Sequence, residues 1–452
     1  MTVSTGFPSS KKEVERITSD DDAIKTSDLR CRFCGAPLQY TFADLGVQPF
    51  CESYLQQSQL NKMESFYPLH VYVCKSCLLV QLEDVISPKD LFTDYAYFSS
   101  HSKGWLKHSE SYAEMIIDKL RLNHSSQVIE IGSNDGYLLQ YFARRNVPVL
   151  GIEPATNVAE EAKKKGIPTI VKFFEKKTSD ELVRENKHAD LLIGNNIVAQ
   201  VPDINEFIDA LKNLLKPSGI ITLEFHHLMK LMNNNQFDTI SHERFSYFSL
   251  SVIEKILAFH GLRIFDVEEL PTHGGSLRIY ACHAKNLSVL VNPRLKQLKD
   301  SEEANGLAEI KKYLTFAEGV KKIKRDILEI LIKVKNKNRS IAGYGAHAEA
   351  NTFLNYCGIG SDFLDYTVDR NPTKQGKFLA GTHIPIFHPD KITDTKPDYI
   401  LVLPWNIKME IMKQMSFIGE WKGTFIVSIP RVTLYNADGN ENFDENLIQE
   451  IT

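Results

Sequence analysis

The sequence predicts an α/β protein made of a small metal-binding ribbon followed by two doubly wound α/β units. Two Cys-x-x-Cys pairs lie near the N-terminus, each inside short strand-like runs. Beyond them, apolar strand-like runs alternate with helical ones, which is typical of a parallel sheet with crossover helices. A second alternating region with its own Gly-rich turn follows a Lys- and Glu-rich stretch. The 452 residues suffice for about three folded units, at roughly 150 residues per domain.

Composition narrows the class of protein. Apolar residues make up 43% and charged residues 24%, which is typical of a globular protein. The net charge of −4 argues against nucleic acid as the main partner. No apolar run approaches the ~18 residues of a membrane span, and the first residues lack the apolar core of an export signal. We therefore expect a cytoplasmic monomer or homodimer that acts on a small molecule, without a nucleic-acid or membrane partner.

Changes in composition and periodicity divide the chain into six segments. They are a flexible tail at 1–27, a zinc-binding domain at 28–86, a cofactor-binding α/β domain at 87–285, a helical connection at 286–335, a C-terminal α/β lobe at 336–435 and an acidic tail at 436–452. In the second domain, KGWLKHSESYAEMIIDKL predicts a helix, and VIEI, ADLLIG and IITLEF predict buried strands. KPSG predicts a turn before the last of these strands. The stretch from about 300 to 335 predicts one long helix.

The four cysteines of the N-terminal pairs predict a structural metal site. Cys31 and Cys34 form one pair, and Cys74 and Cys77 form the other. The spacing lets both thiolates of each pair face one ion, and four sulfurs complete a tetrahedral zinc site with no open position. Ordinary buried cysteines and a redox pair are the alternatives, and no thioredoxin-like context supports the latter. Cys51 stands apart, and we expect a buried thiol there.

A Gly-containing loop after a predicted strand indicates a site for a nucleotide-type cofactor. The run VIEIGSNDG ends a strand and opens a helix, so its glycines let the backbone approach a ligand. Glu153 follows the next predicted strand, where an acid can accept hydrogen bonds from both ribose hydroxyls. The residues expected to contact the cofactor are Glu130, Gly132, Asn134, Asp135, Gly136, Glu153, Asn195 and Asn196, with Asp190 on the methyl-donor side.

The details of this loop favour S-adenosylmethionine over NAD. The Glu-x-Gly start, the Asn-Asp-Gly turn and the later strand ADLLIGNN replace the Gly-x-Gly-x-x-Gly of dinucleotide sites. A methyltransferase is therefore the preferred interpretation. A dinucleotide-dependent oxidoreductase and a non-catalytic nucleotide-binding module remain open on these residues alone.

From about residue 28 to 435 the chain resembles the sugar C-methyltransferases that act on nucleotide-linked keto-deoxysugars. The shared segments, in chain order, are the two Cys-x-x-Cys pairs, YAYFSSHS, EIGSNDG, NNIVAQVPDI, HERFSYFS, PTHGGSLR and GYGAHAEANTFLNY. The resemblance implies a zinc-binding N-terminal domain, a class I Rossmann-like methyltransferase domain that uses S-adenosylmethionine, and a C-terminal Rossmann-like lobe that helps to hold the nucleotide. It also implies a role in deoxysugar assembly or secondary metabolism.

The chain departs from this family at positions that the resemblance places in the active site. The family signature Tyr-His-Glu-His reads Ser241, His242, Glu243 and Arg244 here. Arginine remains protonated and cannot serve as the base that the last histidine provides in the family. A second family histidine is replaced by Gln200, and a lysine by Glu349. Tyr97 and Glu243 match the family's substrate-side aromatic residue and acid.

Two interpretations follow from these changes. In the first, the sugar substrate is kept and the base is relocated to His242, His226 or His227, near the predicted strand end at Glu224. In the second, Arg244 pairs with an anionic group or an enolate of another metabolite, which is methylated on carbon, oxygen or nitrogen, or the chain binds the cofactor without activity. The candidate catalytic residues are His242, Glu243, Tyr97, Arg244, Glu224 and His227, and the candidate substrate-binding residues are Tyr97, Gln200, His273, Arg278 and His347.

Overall fold

The computed structural model describes residues 29–83 and 98–441 and contains three β-sheets. The predicted tail at 1–27, Tyr97 and the end of the acidic tail lie outside the described residues. The predicted α/β class is confirmed, with a cysteine-bearing N-terminal sheet, a Rossmann-like central sheet and a C-terminal sheet. Within the described residues, no helix is both long and apolar enough to cross a membrane.

The described residues form strands, α-helices and short 3₁₀ segments, numbered along the chain. The strands are β1 (Tyr40–Pro49), β2 (Phe66–Val73), β3 (Val80–Leu82), β4 (Val128–Ile131), β5 (Val149–Ile152), β6 (Thr169–Ile170), β7 (Ala189–Asn195), β8 (Leu215–His226), β9 (Ser246–Tyr247), β10 (Leu262–Leu270), β11 (Ser276–His283), β12 (Ile341–Tyr344), β13 (Tyr366–Val368), β14 (Ile386–Phe387), β15 (Tyr399–Val402), β16 (Thr424–Val427) and β17 (Thr433–Tyr435). The α-helices are α1 (Lys103–Leu120), α2 (Leu139–Arg144), α3 (Thr156–Lys164), α4 (Lys176–Arg184), α5 (Ile204–Leu214), α6 (Leu228–Asn233), α7 (Leu250–Phe259), α8 (Pro293–Ala304), α9 (Ile310–Leu314), α10 (Phe316–Asn336), α11 (Ala348–Cys357), α12 (Lys391–Thr395) and α13 (Lys408–Gln414). The 3₁₀ segments are Gln57–Gln59, Ser99–His101, Val198–Gln200, Phe237–Thr239, Thr272–Gly274, Trp405–Ile407 and Ser416–Trp421.

The N-terminal sheet has the strand order β1-β2-β3-β9, and all of its pairs are antiparallel. Its fourth strand comes from a distant part of the chain, because Val80 pairs with Tyr247 and Gln81 with Ser246. The sequence analysis placed the two strands in different domains. The N-terminal sheet and the central domain are therefore joined by backbone hydrogen bonds.

The central sheet has the order β10-β11-β8-β7-β4-β5-β6, in which β11 runs antiparallel to both of its neighbours. Its first helix, α1, has the predicted bounds. The Ser102 hydroxyl accepts a hydrogen bond from the Trp105 amide at 3.3 Å, and Arg121 ends the helix in a left-handed conformation. The predicted KPSG turn lies inside β8, which begins at Leu215, where the register with β7 shifts.

Between the central and C-terminal sheets the chain forms three helices, α8, α9 and α10, instead of one long helix. Breaks occur at the turns that precede Ile310 and Phe316. The buried stripe of α10 recurs at helical spacing and packs on the N-terminal sheet. Phe316 at its start stacks on Phe42 of β1 with ring centroids 4.5 Å apart.

The C-terminal sheet has the order β14-β13-β12-β15-β16-β17, with parallel pairs throughout except at β17. Helix α11 follows β12 through the second Gly-rich turn. This arrangement places the carboxyl ends of β12 and β15 at one edge, which is where doubly wound sheets bind ligands.

Candidate active site and zinc centre

A cavity of about 950 Å³ lies where the carboxyl ends of strands in the central and C-terminal sheets meet. The central sheet contributes residues that follow β4, β5 and β7, including Gly132, Glu153 and Asn195. The C-terminal sheet contributes the turn after β12 and the segment after β15, including Gly345 and Trp405. Because both sheets present their ligand-binding edges to it, the cavity can hold two ligands side by side.

The predicted cofactor loop forms one wall of this cavity. Gly132 ends β4 with a φ of 70°, and a Cβ there would lie 3.2 Å from the Ile197 side chain. A residue with a side chain would therefore be strained at this position. Asn134 follows with a φ of 47°, and its side-chain oxygen accepts a hydrogen bond of 2.9 Å from the Ser99 amide. Gly136 has a φ of 73° and packs against Ile167.

Glu153 lies immediately after β5 and lines the cavity. Its two carboxylate oxygens accept hydrogen bonds of 2.9 Å from the amides of Asn134 and Ala155. Burial raises the pKa of Glu153 against the effect of these two hydrogen bonds. A carboxylate has about four lone-pair positions, so acceptor capacity remains for the hydroxyls of a ribose.

Several buried polar atoms around the loop have no hydrogen-bond partner among the described residues. They are the hydroxyl of Ser133 and Oδ1 of Asp135, Asn195 and Asn196, whereas the buried carboxylate of Glu130 interacts with the Tyr137 hydroxyl. Burial raises the pKa of Glu130 well above its usual range. Of these residues, Asn195 and Asn196 line the cavity, and because unpartnered buried acceptors are costly they favour a ligand with hydrogen-bond donors. The amino group of S-adenosylmethionine fits that description.

The predicted position of Asp190 on the methyl-donor side is wrong. Asp190 lies at the start of β7, and the cavity faces the end of that strand at Asn195. Its Oδ2 accepts hydrogen bonds of 2.7 Å from the Gln127 amide and from the Lys216 ammonium group. Asp190 is therefore part of a structural contact at the opposite edge of the sheet.

Arg244 and Glu349 face each other across the other end of the cavity. Arg244 lies between β8 and β9, Glu349 lies in the first turn of α11, and Nη2 is 3.8 Å from Oε1. Arg244 also donates a hydrogen bond to the Thr239 carbonyl. Burial would raise the pKa of Glu349, but the nearby His347 and Arg244 outweigh it and lower the pKa. The site therefore contains an ionised pair contributed by two lobes.

A pair of histidines lies beside this ion pair. His273 lines the cavity with a φ of 51°, and its ring centroid is 5.5 Å from that of Trp105 and 5.0 Å from that of His226. Burial lowers the pKa of His273 and lowers that of His226 further. Nε2 of His226 is buried without a hydrogen-bond partner among the described residues. Both imidazoles are therefore neutral near pH 7.

The turn that carries His273 is fixed by the C-terminal lobe. Gly274 has a φ of 82°, and the indole of Trp405 occupies the space that a Cβ would need. The Trp405 indole nitrogen donates a 2.7 Å hydrogen bond to Asp238, whose pKa burial raises to about 8. The orientation of His273 towards the cavity thus depends on contact between the two lobes.

His242 and His227 lie outside the cavity lining. Nε2 of His242 faces the carbonyl oxygens of Tyr67 at 3.3 Å and Pro68 at 3.2 Å. His227 is fully buried, with Nε2 2.8 Å from a carboxylate oxygen of Glu302. These contacts occupy Nε2 of each ring, Nδ1 of His227 is buried without a partner among the described residues, and neither ring lines the cavity, so the geometry argues against both histidines as the base.

Glu224 and Arg278 form a buried ion pair instead of facing the cavity. Nη2 of Arg278 donates to Oε2 of Glu224 at 2.7 Å, and His108 contacts the same carboxylate at 3.0 Å. Burial would raise the pKa of Glu224, but His108 and Arg278 outweigh it and lower the pKa. Thr272 donates to Glu224 at 3.2 Å, so this carboxylate supports the turn that bears His273. Arg278 is thus placed as a structural partner.

The structure adds cavity residues that the sequence analysis did not single out. They include Glu52, Trp105, Tyr137, Asp369, Lys374 and Trp405, together with the predicted Gln200, Glu243 and His347. Asp369 directly follows β13, and its Oδ2 accepts a 2.9 Å hydrogen bond from the Ala346 amide in the second Gly-rich turn. The sequence contained a signal for Asp369, because an acidic residue after the strand that follows a Gly-rich turn commonly binds a ribose.

The four predicted ligand cysteines lie together. Sγ of Cys31 is 3.5 Å from that of Cys77, Sγ of Cys34 is 3.6 Å from that of Cys74, and all four sulfurs lie within 4.8 Å of one another. Tetrahedral zinc with bonds of about 2.3 Å requires sulfurs about 3.8 Å apart. Gln81 donates a hydrogen bond of 3.1 Å to Cys31, as outer partners of zinc thiolates do. The donor set and its spacing fit zinc.

Three protein-family models match the chain. A putative zinc-binding domain matches residues 31–92, a methyltransferase domain matches residues 105–267, and a C-methyltransferase C-terminal domain matches residues 271–430. The three matches follow one another along the chain in the order of the sheets described above.

Similarity to individual proteins extends over nearly the whole chain. The chain is 33% identical over 417 residues to the C-methyltransferase NovU of Streptomyces niveus, which covers 92% of this chain and 99% of that protein. A segment of 96 residues is 27% identical to the ubiquinone biosynthesis O-methyltransferase of Bartonella tribocorum and covers 21% of this chain and 39% of that one. The crystal structure of magnesium protoporphyrin IX methyltransferase from Synechocystis PCC 6803 with bound SAM is matched with a TM-score of 0.31 at 17% identity, over 40% of this chain and 80% of that one.

We expect Cys34→Ser to remove the bound zinc and to lower the melting temperature. Three sulfurs leave the tetrahedral site incomplete, and the small sheet depends on its metal for stability. Zinc content by mass spectrometry and thermal unfolding measure the effect. Cys51→Ser is the control, because Cys51 is buried outside the cysteine cluster. Equal zinc in both variants would contradict the assignment.

We expect Glu153→Gln to weaken binding of S-adenosylmethionine by about 10-fold or more, because an amide cannot accept two ribose hydroxyls while it retains both backbone contacts. Isothermal calorimetry measures the affinity. Glu185→Gln, at an exposed position after α4, should leave the affinity unchanged. An unchanged affinity in Glu153→Gln would refute the ribose role.

Proposed function

The chain belongs to the C-methyltransferase family as an S-adenosylmethionine-dependent enzyme with an N-terminal zinc-binding domain, and from that premise we propose that its acceptor is a nucleotide-linked keto-deoxysugar. One observation carries the proposal. A single cavity of about 950 Å³ joins the cofactor loop to the Gly-rich turn of the C-terminal lobe. Its volume and its two ligand-binding edges suit a methyl donor and a bulky acceptor in contact.

The C-terminal lobe supports the nucleotide part of this acceptor. We propose that the lobe at 336–435 holds the nucleotide while the sugar reaches towards the cofactor. Gly345 lines the cavity after β12 and packs closely against Pro404, His347 precedes α11, and Asp369 follows β13. A helix start that follows a Gly-rich turn favours negative groups such as phosphates, and an acid after the next strand suits ribose hydroxyls. Lys374 adds a positive charge to the cavity wall.

We propose that His273 is the base that removes the proton next to the sugar ketone. It lines the cavity, its pKa is lowered by burial, and no hydrogen bond of the described residues occupies its ring nitrogens. The carbon–hydrogen bond breaks, the proton passes to the imidazole, and its electron pair forms the enolate. His226 lies behind His273 and fixes the position of its ring. This assignment moves the base from the signature at 241–244 to the turn after β10.

Arg244 is suited to stabilise the enolate that results. Its guanidinium is charged at any working pH, and charge-assisted hydrogen bonds to an oxyanion are strong. Bound S-adenosylmethionine supplies an electrophilic methyl group on a sulfonium. The carbon of the enolate forms a bond to this methyl group, the sulfur–methyl bond breaks, and its electron pair stays on sulfur. The proton on His273 is then released to solvent.

A screen of nucleotide-linked keto-deoxysugars with isotope-labelled S-adenosylmethionine tests the proposal. We expect a carbon-bound label in at least one sugar by mass spectrometry. His273→Gln should reduce turnover by about 10²-fold or more, the usual contribution of a general base, while cofactor affinity is kept. His242→Gln should retain most of the activity, because the His242 ring lies outside the cavity lining, against two backbone carbonyls and the rings of Phe50 and Tyr67.

The screen also distinguishes the alternatives. Label on oxygen or nitrogen, or transfer only to acceptors other than sugars, would replace the proposed acceptor class. Bound cofactor with no transfer to any acceptor would indicate a cofactor-binding protein without activity. Loss of turnover in His242→Gln with normal turnover in His273→Gln would move the base back to the signature.

The pH dependence of kcat/KM tests His273 through its neighbour Glu349. A base works when it is deprotonated. Activity should therefore fall only when the pH drops below about 6.5, the ordinary pKa of an imidazole. Glu349 raises the pKa of His273 and opposes the lowering by burial. We therefore expect Glu349→Gln to move the acid limb to lower pH. Glu329→Gln on α10 is the control, and an acid limb that moves to higher pH in Glu349→Gln would contradict the assignment.

A further inference from the structure

The cavity wall at 195–203 links the cofactor end of the site to its acceptor end. It begins with Asn195 and Asn196 beside the cofactor loop and continues through Gln200 to Asp203. Asp203 caps α5, since its side chain accepts a hydrogen bond of 2.9 Å from the Glu206 amide. The middle of this wall contains only one short 3₁₀ turn at Val198–Gln200. Its position therefore depends on contacts from other parts of the chain.

Two hydrogen bonds reach the middle of the wall from outside it, among the described residues. The Phe245 amide donates to the Ala199 carbonyl at 2.7 Å. The guanidinium of Arg32 donates through Nη1 to the Pro202 carbonyl at 2.6 Å. These contacts lie on either side of Gln200, so together they hold the backbone from which that side chain extends.

Arg32 belongs to the first zinc-binding pair, between Cys31 and Cys34. Its amide donates to the Gln81 side chain at 2.8 Å, and Gln81 in turn donates to the Cys31 sulfur at 3.1 Å. Its guanidinium also donates to the Leu82 carbonyl and lies over the Phe245 ring, 5.4 Å from the centroid. The metal-binding turn thus fixes the backbone of Arg32, and the guanidinium bridges two separate segments.

The contact with α5 runs in both directions. The side-chain amide of Asn205 donates to the carbonyls of Arg32 and Phe33 at 3.1 and 3.0 Å. The wall and the zinc-binding turn therefore hold each other. Arg32 of the turn donates to the Pro202 carbonyl of the wall, and Asn205 at the start of α5 donates to two carbonyls of the turn. A charged donor on a neutral carbonyl makes a strong, short hydrogen bond, and this one is shielded in a partly buried position.

We propose that Arg32 is a positioning residue, which uses the zinc-binding turn to hold Gln200 and the wall at 195–203 in register with the acceptor. The zinc site then has a second consequence beyond the stability of its own sheet. The anchoring of the wall is independent of the acceptor, whereas the effect on acceptor binding rests on the proposed function.

Arg32→Ala tests this role, with Arg32→Lys as the conservative variant and Arg30→Ala, two residues earlier on the other side of Cys31, as the matched control. Arg30 is exposed. We expect Arg32→Ala to keep its zinc, to speed hydrogen exchange of amides in 197–203, and to raise the KM of the sugar acceptor by about 10-fold. The calorimetric Kd of S-adenosylmethionine and kcat should change less than KM. Arg32→Lys should restore part of the loss, since an ammonium group can reach one carbonyl.

Each measurement can overturn the proposal. Loss of zinc in Arg32→Ala would show that Arg32 acts by holding the metal site together. Unchanged exchange at 197–203 would show that it does not anchor the wall, and faster exchange with an unchanged KM would separate the wall from acceptor binding. If wild-type protein transfers no methyl group to any sugar, the proposed function fails, while the exchange experiment still decides whether Arg32 anchors the wall.

Discussion

The pairing of β9 with β3 is the contact on which the arrangement of the active site depends. Two backbone pairs, Val80 with Tyr247 and Gln81 with Ser246, extend the N-terminal sheet by a strand of the central domain. The Leu82 amide also donates to the Phe245 carbonyl at 2.9 Å. Arg244 lies two residues before this strand, so its backbone is tied to a sheet that zinc holds together. The strands of the zinc-binding sheet do not line the cavity themselves, but they support the segment that does.

Burial of the cavity explains the charge state of its groups. Ionised side chains are costly to bury unless they are paired, and Arg244 and Glu349 supply opposite charges from two lobes. The partial exposure of both side chains, 19% and 22%, reduces that cost as well as the attraction between them. The histidines beside them have no carboxylate in hydrogen-bond contact among the described residues, and burial keeps them neutral. One site therefore holds a permanent cation beside neutral imidazoles.

The sequence predicted the parts of the site that depend on local spacing. The cysteine pairs, the loop from Glu130 to Gly136 and the bounds of α1 follow from short-range rules of ligand spacing, backbone conformation and helix periodicity. The histidines at 226 and 227 show the limit of such rules. Neighbouring residues at a strand end point to opposite sides, so His226 meets His273 while His227 meets Glu302. Which side faces the cavity is decided by α8 and by the lobe that carries Trp405, both distant in sequence.

The replaced positions are better understood as one coupled change than as separate losses. The resemblance places a histidine where Arg244 stands and a lysine where Glu349 stands, and in this chain the two side chains lie 3.8 Å apart. In this chain the permanent cation, Arg244, lies in the central domain, whereas the family lysine lies in the C-terminal lobe. Glu349, at the position of that lysine, is now the counter-ion of Arg244. The proposed mechanism needs a base for proton removal, and the proposed base, His273, lies in PTHGGSLR, a segment in which the chain resembles the family. The proposed site thus keeps both a cation and an imidazole, although different parts of the chain carry them. Such a site is compatible with methyl transfer to carbon.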